Sequence, residues 1–439
     1  MYNPPLNMRN VFVLIILCLI SAPYAKATVV LSWDDCIRRA KDQNLDLKIS
    51  EHELQVAKFG ESQALSDFIP HITLNSSLTE GQVPEVNRSR ATSLSITETL
   101  FSGFSGISNY DQAKLAKRGS EIDLKQVKAQ LSFDLRNAIS QVLFSREMLR
   151  LNESFVVKRK QNLKTVGLLF DSGRENKATY LLVQSLYQKA VYASDLSLDN
   201  LKVSLKNLGT ILGIPLEEEI VLDPKISFDS IVSLPNRDKF LKLFEAIQNK
   251  SQIPKEVLAE NSDLQKANLE EELAKSRVTG ARSNFYPTVS LTQEYNRSYD
   301  YSNPEAEGAS LTLSLSWALF NGGSDYYTLK IFNERLVSSA LMKEKVGQSI
   351  ETGLGDALLL LKRNLERLKV ERDGLEAYRL NERVSNQQYF NSFLSFRDWN
   401  WAFSDLVDQE TAYYQGQVDV VMAQAKVELL TGYNIFDEN

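Results

Sequence analysis

Apolar residues along this chain follow two rhythms, in a fixed order. The first has period two. Between His71 and Thr79, Ile72, Leu74 and Leu78 alternate loosely with polar residues. Ala91 to Leu100 sets Leu94 and Ile96 against Ser93, Ser95 and Thr97. Val289, Leu291 and Tyr295 alternate with Ser290 and Thr292. Leu311, Leu313, Leu315 and Trp317 alternate with Thr312, Ser314 and Ser316. Such alternation predicts strands. Polar stretches holding Gly81 and Pro84, and later Pro304, predict loops over Glu80–Arg90 and Asn296–Gly308. An apolar face opposite a hydroxyl face suits a sheet packed on a core. It suits equally a barrel wall between lipid and water, whose strands run about nine to eleven residues.

The second rhythm is helical. Trp33 to Asp67 reads as one helix, with Ser32 at its cap and Asp34 and Asp35 in its first turn. Phe68-Ile69-Pro70 ends it, because the residue before a proline is pushed out of the helical region. After Gly103, Leu124, Val127, Leu131, Leu135, Ala138 and Val142 keep a 3–4 spacing, and the helix runs to about Leu169. Asp171-Ser172-Gly173 breaks it, and a return helix runs to Leu212. The second half repeats the pattern, with Leu358, Leu361, Leu365, Leu368 and Leu375 in heptad register. A helix of about 60 residues is about 90 Å long. No ordinary globular core needs that length, so the helices favour a coiled coil or an extended helical wall, and with it the barrel reading of the strands.

The order itself is duplicated. Phe68-Ile69-Pro70 recurs as Phe285-Tyr286-Pro287 (285 − 68 = 217). Leu100-Phe101-Ser102-Gly103 recurs as Leu319-Phe320-Asn321-Gly322 (319 − 100 = 219), and Leu212-Gly213 is answered by Thr431-Gly432. Constant spacing over such distances indicates a tandem duplication. We divide the chain into a first repeat over 28–214, a proline-punctuated linker over 215–253 and a second repeat over 254–439. The linker offers a short strand at Ile220–Leu222 and a short helix at Phe240–Ile247. Residues 1–27 read as a cleaved secretory signal. Val11 to Ile20 is too short an apolar run to span a bilayer, and Ala25-Lys26-Ala27 supplies the small residues of a cleavage site.

Composition adds mainly exclusions. With 50 basic and 56 acidic residues, the net charge of −6 argues against a nucleic-acid partner. The mature chain keeps one cysteine, Cys36, so no internal disulfide framework is expected. Two histidines, His52 and His71, lack metal-ligand spacing, and no phosphate-binding glycine motif is present. We expect no enzyme, no cofactor and no metal site. After residue 27 no apolar run reaches the length of a spanning helix, so membrane insertion requires strands.

The assembled order resembles the TolC-type outer-membrane efflux proteins, over essentially the whole mature chain. The resemblance rests on Leu45-Asp46-Leu47, Phe68-Ile69-Pro70, Leu100-Phe101-Ser102-Gly103, Leu168 to Gly173 and Leu212-Gly213. Its second copy is Asn261-Ser262-Asp263-Leu264, Phe285-Tyr286-Pro287, Leu319 to Gly323 and Thr431-Gly432. It implies a mainly α chain with a small β part. Three chains would build a twelve-stranded outer-membrane β-barrel, continued by a periplasmic α-helical barrel with the linker as an equatorial collar. It also implies a passive exit duct for efflux or type I secretion, partnered by a periplasmic adaptor and an inner-membrane pump. On this reading Leu311, Leu313, Leu315 and Trp317 face outer-membrane lipid. The family's hairpin tips carry a glycine and, a few residues later, an aspartate that narrows the periplasmic entrance. Here the first tip has Gly173 but Thr179. The second has Ser392 in the glycine position and Asp398 in the aspartate position, with Asp405 and Asp408 following on the same helix. These three aspartates are the entrance candidates. Gly173, Arg174, Glu175, Ser392, Phe393, Phe396 and Trp399 are the adaptor-docking candidates. The competing reading is a periplasmic coiled-coil structural or adaptor protein. Adaptors, however, carry one helical hairpin rather than two, each preceded by a strand pair.

Overall fold

The computed structural model describes residues 28–80, 88–215, 218–232, 240–241, 243–245, 258–300, 303–391 and 393–436. The signal reading over 1–27, parts of the linker and Ser392 lie outside the described residues. The elements in chain order are β1 (Thr28–Leu31), α1 (Trp33–Gln43), α2 (Leu45–Ala64), β2 (His71–Glu80), β3 (Arg88–Ser102), α3 (Ser105–Asp171), α4 (Lys177–Ile211), β4 (Glu219–Leu222), α5 (Phe228–Ile231), α6 (Ser262–Arg282), β5 (Thr288–Asp300), β6 (Asn303–Ser316), α7 (Ser324–Phe390) and α8 (Phe396–Leu430). Helix, strand pair, 67-residue helix and 35-residue helix thus occur twice, in the same order.

The chain packs as two units. One comprises residues up to 42 together with 138–231. In it β1 pairs in parallel with β4, which places the short linker strand. Ile139, Val142, Leu143, Leu151, Phe155 and Val166 of α3 are buried, as are Val183 and Leu208 of α4. At the start of α1, Ser32 Oγ accepts a hydrogen bond from the Asp35 amide at 3.1 Å, and an Asp35 carboxylate oxygen accepts one from the Ser32 amide at 3.2 Å. This reciprocal cap satisfies two amides that the helix start leaves open. The Cys36 thiol is fully buried, and burial, assisted by Asp35, pushes its pKa up to about 12.

The second unit comprises 43–137 and 232 onward. Its sheet has the order β2-β3-β5-β6, antiparallel throughout. Phe240 and Phe244 of the linker are helical and pack with Leu354, Leu358 and Leu361 of α7 and Ala423 and Val427 of α8. At the β3–α3 junction Gly103 adopts φ +62, and a Cβ there would lie 2.6 Å from the Ser283 carbonyl oxygen, so only glycine fits. Gly322, at the equivalent place before α7, adopts φ +57.

Two expectations are corrected. The opening helix over Trp33–Asp67 is two helices and a 3-10 turn at Leu65–Phe68. It breaks at Asn44, which takes extended geometry (φ −61, ψ 130) and caps α2 by accepting from the Leu47 amide. The loop expected over Asn296–Gly308 is mostly strand, since β5 runs to Asp300 and β6 starts at Asn303. Hydrophobic alternation lapses there, but backbone pairing continues and Arg297 forms ion pairs with Glu305 and Glu307 across the strands. Among the described residues, no helix is long and apolar enough to cross a membrane.

Candidate channel wall and hairpin tips

Strand register decides which side chains share a face, because directly opposed residues in an antiparallel pair point the same way. Ile72 opposes Ile96, Ile96 opposes Gln293, and Gln293 opposes Leu311. The next rows on that side are Leu74–Leu94–Tyr295–Ala309 and, toward the helices, Leu291–Leu313 and Val289–Leu315. In these rows that face is apolar on all four strands apart from Gln293 and Glu98, and toward the hairpin end it turns polar, with Ser76, Arg90, Thr92, Arg297 and Glu307. Both faces are largely exposed in the single chain; Leu311, Leu313, Leu315 and Trp317 are among the exposed apolar residues. The other face reads Thr73–Ser95–Glu294–Ser310 and His71–Thr97–Thr292–Thr312. Thr97 and Thr292 hydroxyls lie 3.3 Å apart across β3 and β5.

Aromatic residues bracket the apolar face. Tyr295 and Tyr299 stand toward the hairpin end, beside the Arg297–Glu305–Glu307 group. At the helix end Phe101, Phe104 and Tyr286 pack edge to face at 5.5 and 5.7 Å, and Trp317 and Phe320 are exposed nearby in sequence.

Each hairpin tip is built by the same local device. At the first, Gly173 takes φ +73 with open space where a Cβ would point, and the amides of Arg174 and Glu175 return to the Leu169 carbonyl. Asn176 caps α4 by accepting from the Thr179 amide at 2.9 Å. Phe170 stacks on Tyr180 at 5.5 Å. At the second, Ser395 caps α8 by accepting from the Asp398 amide at 3.2 Å, and Tyr389 stacks on Trp399 at 4.4 Å. Both partners of each stack are 219 residues apart in the two copies (389 − 170 and 399 − 180). Of these four only Trp399 is among the docking candidates, and the 219-residue offset leads from it to Tyr180.

Surfaces differ where the backbone does not. At the second tip Phe390 and Phe396 pack edge-on against Trp399, which is 1% exposed and donates its indole N–H to Asn386 at 3.2 Å. Phe393, 83% exposed, and Trp401, with Arg397 over its ring, face outward. Asp398 is engaged locally, since its carboxylate accepts from the Ser395 hydroxyl at 2.7 Å and lies 3.7 Å from Arg397. Asp405 and Asp408 are exposed on α8. At the first tip Arg174 is exposed, and one carboxylate oxygen of Glu175 is enclosed without a hydrogen-bond partner.

Nearer the chain end of the second unit, Arg136 of α3 forms a buried ion pair with Glu428 of α8, and Gln424 donates to the same carboxylate at 2.9 Å. The heptad pattern gave no hint of this pair, whose value depends on both charges being present. No group of His, Cys, Asp and Glu among the described residues is arranged to hold a metal ion.

Comparison with known proteins agrees with this construction. The chain superposes on the channel CusC with a TM-score of 0.77 at 15% identity, covering 91% of this chain and 92% of that one. It superposes on the Neisseria gonorrhoeae outer membrane channel MtrE with a TM-score of 0.76 at 15% identity, covering 92% and 90%. For the Vibrio cholerae outer membrane protein VceC the values are 0.75 and 14%, covering 92% and 96%. No curated protein sequence matches. The sequence profile for outer membrane efflux proteins matches residues 36–213 and 253–432, one stretch in each half, and on that match the chain belongs to the outer membrane efflux protein family.

Proposed function

We propose that this outer-membrane exit duct works as a homotrimer, closing a twelve-stranded barrel from three copies of the sheet β2-β3-β5-β6. The observation that carries the reading is the register, which gives the sheet one apolar and one hydroxyl face and leaves β2 and β6 as edges. An unpaired edge in lipid is costly, and four strands cannot close on themselves. The apolar face with its aromatic brackets then meets lipid, and the hydroxyl face lines water. The long helices continue the duct into the periplasm. We assign the repeats to 28–214 and 254–439, with the linker 215–253 as a collar between strand and tip.

Transport through such a duct is passive, so a periplasmic adaptor and an inner-membrane pump supply drive and selection. The tips are the surfaces for the adaptor, through Gly173, Arg174 and Glu175 on one hairpin and Phe393 with Phe396 and Trp399 behind it on the other, Ser392 included. Asp398, Asp405 and Asp408 are proposed to face the periplasmic mouth, where threefold symmetry makes carboxylate rings. Asp398→Asn keeps an acceptor for Ser395 while removing charge, so a change in single-channel cation preference on that substitution reports the pore rather than the cap.

The wall assignment is tested by Leu313→Arg against Ser314→Arg. A charge on the lipid face costs about 2–4 kcal/mol near the midplane and little on the water side. Leu313→Arg is expected to deplete assembled trimer, measured by light scattering in detergent, far more than Ser314→Arg. Equal depletion, or a monomer mass in a sample that retains its β signal, would refute the arrangement.

A further inference from the structure

We infer that Glu294 sets the ion preference of the barrel section, separately from the aspartates at the tips. The inference rests on the wall reading above, in which the hydroxyl face lines water. Between the rows of Thr288 and Ser298, that face is built from serine, threonine, asparagine, alanine and glycine on all four strands. Glu294 is its one carboxylate, and His71, one row nearer the helices on β2, is its one other ionisable side chain.

Register places Glu294 between Ser95 of β3 and Ser310 of β6. No cation among the described residues pairs with it. The nearest basic side chain in sequence, Arg297, belongs to the apolar face, where Glu305 and Glu307 neutralise it. The carboxylate is therefore an uncompensated charge on an otherwise neutral wall. Short hydroxyl side chains around it offer no competing counter-charge and leave the lumen open.

Twelve strands at about 4.8 Å spacing and about 40° tilt enclose a barrel of roughly 12 Å backbone radius. Threefold symmetry places one Glu294 carboxylate from each copy at one level of that lumen. Salt screens charge over about 10 Å at 0.1 M, about 30 Å at 0.01 M and about 3 Å at 1 M. The field of the ring thus fills the lumen in dilute salt and vanishes in concentrated salt. The recognised species are small cations, and anionic solutes meet a barrier at this level.

The test is the reversal potential of the full-length channel in planar bilayers under a salt gradient, in chains carrying Asp398→Ala, Asp405→Ala and Asp408→Ala so that the tip charges do not mask the barrel. Glu294→Gln is expected to lower the cation-to-anion permeability ratio by about twofold or more near 0.01 M and to leave it unchanged at 1 M. Glu294→Asp should keep the preference. Ser310→Cys gives the independent readout of the wall, since Cys36 is buried and does not compete for reagent. If Ser310→Cys reacts with a membrane-impermeant thiol reagent while Glu294→Gln leaves the ratio unchanged at low salt, the wall reading stands and the proposal is overturned. If Leu311→Cys reacts and Ser310→Cys does not, the faces are reversed and both fail.

Discussion

The two hairpin tips share a skeleton and differ in what they clothe it with. Both use a short-side-chain cap on the third following amide, Asn176 on Thr179 and Ser395 on Asp398. Both stack two rings from equivalent positions. At the first, among the described residues, the stack is of two rings, and the turn beside it is glycine and charge. At the second, two more rings complete a small core around Trp399, so the turn is held by packing. The two copies keep the cap and the stack that a helix reversal needs and differ in the side chains packed around them.

The sharpest way to break this comparison is to remove the second core. Trp399→Ala is expected to cost about 3–5 kcal/mol, as for a fully buried large aromatic. The loss should appear as collapsed hydrogen-exchange protection over residues 386–400. Tyr180→Ala removes only a two-ring stack, about 1 kcal/mol beyond its modest burial. Equal loss of protection at the two tips would show that the second is not specially consolidated.

A smaller effect sharpens the role of glycine. Gly173→Ala forces an L side chain into the left-handed region with no compensating contact, at about 1–2 kcal/mol. A lowered thermal midpoint with unchanged protection at the second tip is the expected outcome. No change in midpoint would mean that the turn relaxes freely.

The smallest effects belong to the caps. Asn176→Ala should cost about 1 kcal/mol, and Ser395→Ala slightly more, because it removes the equivalent cap bond and also the hydroxyl donor to the Asp398 carboxylate. Equal costs would mean that the Ser395–Asp398 side-chain hydrogen bond adds nothing to the cap.

Much of this was legible in the sequence. Period-two runs gave the four strands, and the 3–4 runs gave the long helices to within a few residues. What the pattern missed has a physical cause in each case. Asn44 breaks the opening helix through a side-chain hydrogen bond, which leaves the apolar rhythm intact on either side. The outer ends of β5 and β6 are paired by backbone and by Arg297, Glu305 and Glu307, so they read as polar loop. Which tip aromatics are buried depends on contacts across the reversal, and single-chain periodicity cannot separate Trp399 from the exposed Trp401. The uncompensated charge of Glu294 emerges only once register assigns Arg297 to the opposite face.

The central seam of the sheet has a consequence for how the protein is made. Strands β3 and β5 are neighbours although the hydroxyls that meet across them, on Thr97 and Thr292, are 195 residues apart. Closing so long a loop carries an entropy cost and slows pairing, whereas the helices and the β2–β3 hairpin form from local contacts. During vectorial export the first hairpin therefore emerges with a bare edge and waits while two long helices and the linker are threaded through. In that interval its natural partner does not yet exist outside the cytoplasm. The repetition that built the duct thus also creates a window in which that edge stands open to mispairing and aggregation before its partner strand arrives.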